Sequence, residues 1–330
     1  MKSPRNAYRV LACLAAAAAL AVPFGSALPA SADSAVPGPR YHEYVALGDS
    51  WSADVVLADL HGLPDATYAP IDCAQSHVNY PKLVAKALAV TTFRDATCGS
   101  ATTNDFTAPQ TGLPIGGTNP AQFDRLTPTT DLVTVGIGGN DAGFASAAVS
   151  CINLLPTNTS AFSALQLPFS VPFLGSGLPL GGCKQNFVKD GHDLLAERIA
   201  ASQVKLVNAL AEIHRRSPNA RVLMVDYLDG IPAKGCYPLV PITDSDMAYL
   251  HATFLRLNAM VRSAAAAGGA EFVDTYDDSH GHDVCQLPTT RYVEGLGVLS
   301  LNGVAVAVPA HPNSAGAASQ YRSVMEQLAR

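Results

Sequence analysis

Three short clusters in this 330-residue chain carry side chains suited to acyl transfer. "ALGDSWSAD" holds Ser50, "GIGGNDAG" holds Asn140, and "AHPNSAG" near the C-terminus holds His311. A serine hydroxyl is a weak nucleophile until a base accepts its proton. Histidine, with an ordinary pKa near ~6.5, suits that task at neutral pH. A carboxamide N–H such as that of Asn140 can donate to an oxygen that gains negative charge. The backbone N–H of Ser50, at the positive end of a following helix, offers a second donor. Each cluster alone also reads as ordinary structure, since Asp49 or Ser50 would serve as a helix N-cap and Gly-Gly-Asn-Asp as a turn.

Five segments rich in β-formers position these clusters. They are Glu43–Gly48, Thr91–Ala96, Asp131–Gly138, Ala220–Tyr227 and Ala270–Tyr276, several of them nearly continuous apolar runs, as strands covered on both faces require. Amphipathic stretches lie between them. One begins at Pro81. Another, "DLLAERIAASQVKLVNALAEIHRRS", is expected to set Leu195, Ile199, Val204, Val207, Leu210 and Ile213 on one face. A third ends at Gly268-Gly269, and the last runs from about Ser314 to Leu328. This alternation predicts an α/β sandwich with a parallel sheet, and Ser50 and Asn140 then fall at strand exits, where open α/β sheets bind ligands.

Residues 1–32 read as an export signal: Lys2, Arg5 and Arg9 open it, Val10 to Phe24 is apolar, and Ala30-Ser31-Ala32 suits cleavage. The apolar run is short for a membrane span and contains Pro23, and no lipid anchor at Cys13 is expected. Cleavage removes three cations and no acid, taking the formal charge from −6 to −9. A chain that acidic has no general attraction for nucleic acid or an anionic membrane. It leaves six cysteines, an even number that suits disulfides in an exported protein, and none lies at metal-ligand spacing from another. Residues 33–330 read as a single domain. The exception to its alternation is an apolar insertion at about 150–185, rich in proline and glycine and without period, which reads as a long irregular loop held at its base by Cys151 and Cys183.

"VALGDS", "GGND" and "HPN", in that order, resemble the SGNH or GDSL-type serine hydrolases. "CAQSHVNYP", "CGSATT" and "SHGHDVC" extend the resemblance to their secreted actinobacterial lipase and esterase branch, over about Tyr44 to Gly316. The resemblance implies a flavodoxin-like three-layer α/β/α sandwich with a five-stranded parallel sheet. It implies Ser50 as nucleophile, His311 as base, and an oxyanion hole from the Ser50 N–H, a backbone N–H of "CGSATT" and the Asn140 side chain. It also implies bridges Cys73–Cys98, Cys151–Cys183 and Cys236–Cys285. The chain departs from the family twice. Where the family has Ser-Gly, this chain has Gly99-Ser100, so the backbone donor is Ser100, or Gly99 if the register slips. The triad aspartate three residues before the histidine is replaced by Val308. A carbonyl can accept the imidazole N–H instead, as in some family members, so the Val308 or Pro309 carbonyl is expected to orient His311.

The expected function is secreted carboxylic ester hydrolysis on lipidic substrates by a monomer, without metal or cofactor. The alternatives are deacetylation of sugars or other small esters, and an inert binding protein on the same fold. "DTYDDSHGHD" (Asp274–Asp283) has the residue types of a calcium or zinc site but reads better as a solvated loop. "NTS" at Asn158 matches a glycan acceptor, discounted for a signal of bacterial type. The G-x-S-x-G elbow of the α/β-hydrolases is absent.

Overall fold

Parallel strands buried on both faces favour apolar side chains at most positions, and the inner segments of the five supply them. In the computed structural model all five form one parallel sheet, with β1 at Glu43–Gly48, β2 at Thr92–Asp95, β3 at Leu132–Gly136, β4 at Arg221–Val225 and β5 at Glu271–Val273. The order is β5-β4-β3-β1-β2. The structure describes residues 40–153, 182–296 and 299–330, and the backbone of 162–171 and 175–180. The export signal at residues 1–32, Cys13 and Asn158 lie outside the described residues. No helix among the described residues is long and apolar enough to cross a membrane.

Alternation along the strands divides the core into two layers. Tyr44 and Ala46 of β1 pack with Tyr80, Val84, Val324 and Leu328, from α2 (Tyr80–Leu88) and α6 (Ser314–Ala329). Val45 and Leu47 face the other way, onto α4 (Leu194–Arg216) and α5 (Asp244–Gly268). Two short helices stand at strand exits: α1 (Ser50–Ala53) after β1 and α3 (Phe144–Ser150) after β3.

One face of α4 departs from expectation. Val204 is 63% exposed, and the buried row is Leu195, Ile199, Ser202, Leu206, Ala209, Leu210 and Ile213. At ~100° per residue, position 204 sits about 200° from 202, on the opposite side of the helix. Apolar type alone does not set phase. Val207, one step past Leu206, lies at the edge of the buried stripe.

The insertion also differs from the expected irregular loop. Its backbone forms an antiparallel ladder between Phe162–Val171 and Gly175–Leu180. The ladder slips register between Gln166 and Val171, the stretch that contains Pro168. Such an irregularity tolerates a residue with no N–H to donate. A second small antiparallel sheet, absent from the strands expected from sequence, joins Val56–Asp59, Ala305–Ala307 and Leu299–Ser300. The three bridges Cys73–Cys98, Cys151–Cys183 and Cys236–Cys285 are all formed.

The revised phase of α4 sets a contrast between two truncations. Leu206→Ala is expected to cost about 2–5 kcal/mol by opening the buried layer, and Val204→Ala to stay within about 0.5 kcal/mol as a surface change. Urea unfolding with the disulfides intact measures both.

Candidate active site

The carboxyl ends of β1 and β3 meet where their register pairs Gly48 with Gly136. A Cβ at either glycine would collide with the Ser52 side chain, whose hydroxyl donates to the Gly136 carbonyl at 3.0 Å. Gln122 grips the Gly48 peptide from both sides, accepting its N–H and donating to its carbonyl, each at 2.9 Å. Asp49 then caps α1, its side chain accepting the Trp51 N–H at 2.9 Å. α1 is one turn long. Trp51, Ser52 and Ala53 give their N–H groups to Asp49, so what this turn offers is the N–H of Ser50 and little macrodipole. Ser50, the first residue of this turn, is 7% exposed.

His311 reaches it from the loop before α6. Its Nε2 lies 2.8 Å from Ser50 Oγ. Its Nδ1 lies 2.8 Å from the Pro309 carbonyl oxygen. A carbonyl only accepts, so Nδ1 carries the proton and Nε2 is left as the acceptor for the serine O–H. The orienting carbonyl is thus that of Pro309, not Val308. Ala310, held at φ 59°, makes the reversal that brings it two residues back onto the ring. Among the described residues, no carboxylate is bonded to His311.

The histidine loop is clamped by Glu294. The Glu294 N–H donates to the His311 carbonyl, and the Ala310 N–H to the Glu294 carbonyl, both at 2.8 Å. The fully buried Glu294 side chain pairs with Arg291 and accepts from Asn313 Nδ2 at 2.8 Å. Asn313 in turn caps α6, accepting from the Ala315 and Gly316 N–H groups. Burial pushes the His311 imidazole down to about 4, against the opposing effect of the Pro309 carbonyl. The imidazole is therefore neutral near pH 7. Burial likewise pushes the Asp49 carboxyl up to about 7, against the hydrogen bonds it accepts from Tyr227 and Trp51.

Asn140 donates from Nδ2 to the Ala101 carbonyl at 3.0 Å. A carboxamide carries two N–H groups, so this bond fixes its plane and leaves one donor free. Asp141 ties the same two loops, accepting the Thr103 N–H at 2.9 Å and its hydroxyl at 2.6 Å. Of the two backbone donors expected, the Gly99 N–H is committed to the Cys73 carbonyl at 3.1 Å, beside the Cys73–Cys98 bridge. Ser100 takes the left-handed conformation, at φ 64°, that the family's glycine would hold without strain. Its N–H is the one left uncommitted among the described residues.

The Asp274–Asp283 run spends its side chains on separate partners. Asp274 pairs with Arg262, His280 with Asp229, and Asp278 accepts from Ser323. His282 stacks on Tyr292, and Asp283 accepts the Cys285 N–H. Two concavities of about 390 and 450 Å³ open elsewhere, the first beside Tyr68 and Lys82, the second beside Tyr249 and Arg256. Neither is lined by Ser50 or His311, so the site is identified by chemistry and not by depth. Gln122, Asp141, Glu294 and Tyr227 carry no local signal in the sequence, because the groups they fix at the site, Arg291 beside Glu294 apart, are distant in the chain. Only the capping roles of Asp49 and Asn313 had a local signal, a short polar residue just ahead of a helix.

Residues 46–318 match the sequence model of the GDSL-like Lipase/Acylhydrolase family. A relative named Lipase 2, from Streptomyces coelicolor, is 35% identical over 292 residues, covering 87% of this chain and 85% of its own length. An Esterase from Streptomyces scabiei is 28% identical over 333 residues, covering 94% and 90%. In fold the chain is similar to the extracellular lipase of Streptomyces rimosus, with a TM-score of 0.58 at 24% identity over 87% of this chain and 99% of that one. Phospholipase A1 from Streptomyces albidoflavus NA297 superposes equally well, with a TM-score of 0.58 at 23% identity and the same coverage.

The His311 environment sets a pH dependence. A base works when neutral, so kcat/KM should hold as pH falls through ~6.5 and decline only as pH approaches about 4. Val308→Asp should raise the pH of that decline by about one unit or more, because a carboxylate beside the ring favours the imidazolium. An acid limb near ~6.5 that Val308→Asp leaves in place would contradict the carbonyl-held neutral base.

Proposed function

Because this chain belongs to the GDSL-like lipase/acylhydrolase family and is a carboxylic ester hydrolase, we propose that it cleaves its substrate through an acyl intermediate on Ser50. The observation that carries this reading is the 2.8 Å contact between Ser50 Oγ and His311 Nε2. His311 takes the hydroxyl proton at Nε2 as Oγ attacks the ester carbonyl carbon, while the Pro309 carbonyl holds Nδ1–H. The carbonyl oxygen becomes an oxyanion and accepts from the Ser50 N–H, the Ser100 N–H and the free N–H of Asn140. Collapse of the tetrahedral species breaks the bond to the alcohol oxygen, which leaves with the proton returned by His311. A water, deprotonated by the same nitrogen, then attacks the acyl carbon and releases the carboxylic acid and Ser50.

A lipidic ester is the substrate class we favour. The strands that run out of the Ser50 turn and into the His311 loop present Leu57, Leu299 and Val306 outward, with Leu301 and Val304 exposed between them. An apolar surface flanking a hydrolytic site suits an acyl chain or an ester aggregate. Secretion is part of the same proposal. It is supported by the export-type segment at residues 1–32, by the three disulfides and by the similarity to an enzyme described as extracellular.

Three measurements test this. An organophosphonate should label Ser50, and Ser50→Ala should abolish both labelling and hydrolysis. Asn140→Ala should lower kcat by about 10²–10³-fold. Across esters from acetyl to palmitoyl, kcat/KM should rise with chain length, and a maximum at acetyl would move the assignment to small-ester deacetylation.

A further inference from the structure

The hold of the sheet on the Asn140 loop ends at Gly136, the last residue of β3. Between it and Asn140 lie Ile137, Gly138 at φ 126°, and Gly139, a stretch with little intrinsic stiffness. Asn140 and Asp141 tie this loop to Ala101 and Thr103, but neither bond reaches the nucleophile. One side chain spans that gap. The Tyr227 hydroxyl accepts the Gly139 N–H at 2.8 Å and donates to Asp49 Oδ2 at 2.6 Å. Gly139 immediately precedes Asn140, and Asp49 immediately precedes Ser50.

The phenol is held firmly enough to act as a spacer. Tyr227 is 4% exposed, two residues beyond the end of β4. Asn258 brackets its backbone, accepting the Tyr227 N–H at 3.1 Å and donating to its carbonyl at 2.8 Å. The ring meets Trp51 edge-on at 5.4 Å and packs at 6.0 Å from Phe254. A Cβ on Gly139 would stand 3.1 Å from the phenol oxygen, tighter than an ordinary contact, so the phenol would have to give way slightly.

We infer that Tyr227 is a positioning residue for ester hydrolysis, its hydroxyl fixing the Asn140 donor relative to Ser50. The inference rests on the roles proposed for those two residues. Tyr227 touches neither substrate nor reacting atoms, and it acts through the two loops it joins. The oxyanion gains its charge in the transition state, so a misplaced donor weakens turnover more than ground-state binding.

The test is Tyr227→Phe, read in three ways. The expected result is a fall in kcat of about 10–100-fold with KM within about twofold. Affinity for an alkylboronic acid, which adds to Ser50 as a tetrahedral anion, should fall by a similar factor. Ile213→Ala, a buried α4 change remote from these loops, should lower urea resistance while keeping wild-type kcat and boronate affinity. Should Tyr227→Phe not fold, Gly139→Ala displaces the phenol from the same peptide and should give the same split. Unchanged kcat and boronate affinity in a folded variant, or an equal kcat loss in Ile213→Ala, would overturn the inference. Hydrolysis surviving Ser50→Ala would instead remove the reading beneath it, a distinguishable failure.

Discussion

A neutral imidazole, held between a backbone carbonyl and a serine hydroxyl, is the constraint from which the rest of the site follows. Taking the ring out of water disfavours its charged form, and here no carboxylate answers that cost. A full charge 4 Å away would contribute about 4 kcal/mol at an effective dielectric of ~20. The Pro309 carbonyl, a dipole, supplies direction and only a fraction of that energy. The ring is therefore aimed in the correct tautomer at every pH of interest but is a weak base. In the proposed mechanism, this places more of the stabilisation on the groups that would receive the oxyanion.

The loops that carry the proposed oxyanion donors are well tied. The Asn140 amide is fixed on Ala101, the neighbouring Asp141 grips Thr103, and Cys73–Cys98 anchors the base of the same loop. Below them, Ser52, Gly136 and Gln122 lock the strand ends at hydrogen-bond distance. The histidine loop has its own frame in the buried Arg291–Glu294 pair. A buried ion pair adds little net stability once desolvation is counted. Its use here is directional, because Glu294 presents its backbone to Ala310 and His311 and its carboxylate to the Asn313 cap. Preorganised donors need no rearrangement as charge develops, and a weak base increases the value of that property.

What could be read from the sequence follows from how locally each feature is encoded. The three inner strands are legible because burial on both faces leaves an almost unbroken apolar run, as in "DLVTVGIG", whereas the half-buried edge strands Thr92–Asp95 and Glu271–Val273 are marked by β-forming residues and by the alternation with helices. The phase of α4 is not, since Val204 and Leu206 are equally apolar and only the neighbouring layer decides between them. The pairing of 162–171 with 175–180 has only a partial signal: Leu165, Leu167, Phe169 and Val171 alternate with Gln166, Pro168 and Ser170, but the prolines and glycines of the stretch argue against a strand. Ser50, Asn140 and His311 can be nominated from residue type and place at the sheet edge. The choice between the Val308 and Pro309 carbonyls cannot, because a carbonyl has no residue type. It turns on the left-handed Ala310, a conformation that sequence advertises only when glycine or asparagine holds it. Tyr227, Gln122 and Glu294 act on the site across 16 (Glu294 to Ala310) to 178 positions (Tyr227 to Asp49), beyond any local pattern.

Handing the orienting role to the main chain has a further consequence for the surface. A triad acid would put a charge at position 308, immediately beyond the strand Ala305–Ala307. That strand lies in a stretch, Gly295 to Ala310, with no charged residue and several outward leucines and valines. A carbonyl accepts the imidazole N–H whatever side chain its residue bears. Position 308 is thereby free to be valine, and the apolar surface continues to the edge of the loop that carries His311. The Pro309 bond to His311 and the uncharged stretch are thus compatible, since valine at position 308 keeps 295–310 free of charge.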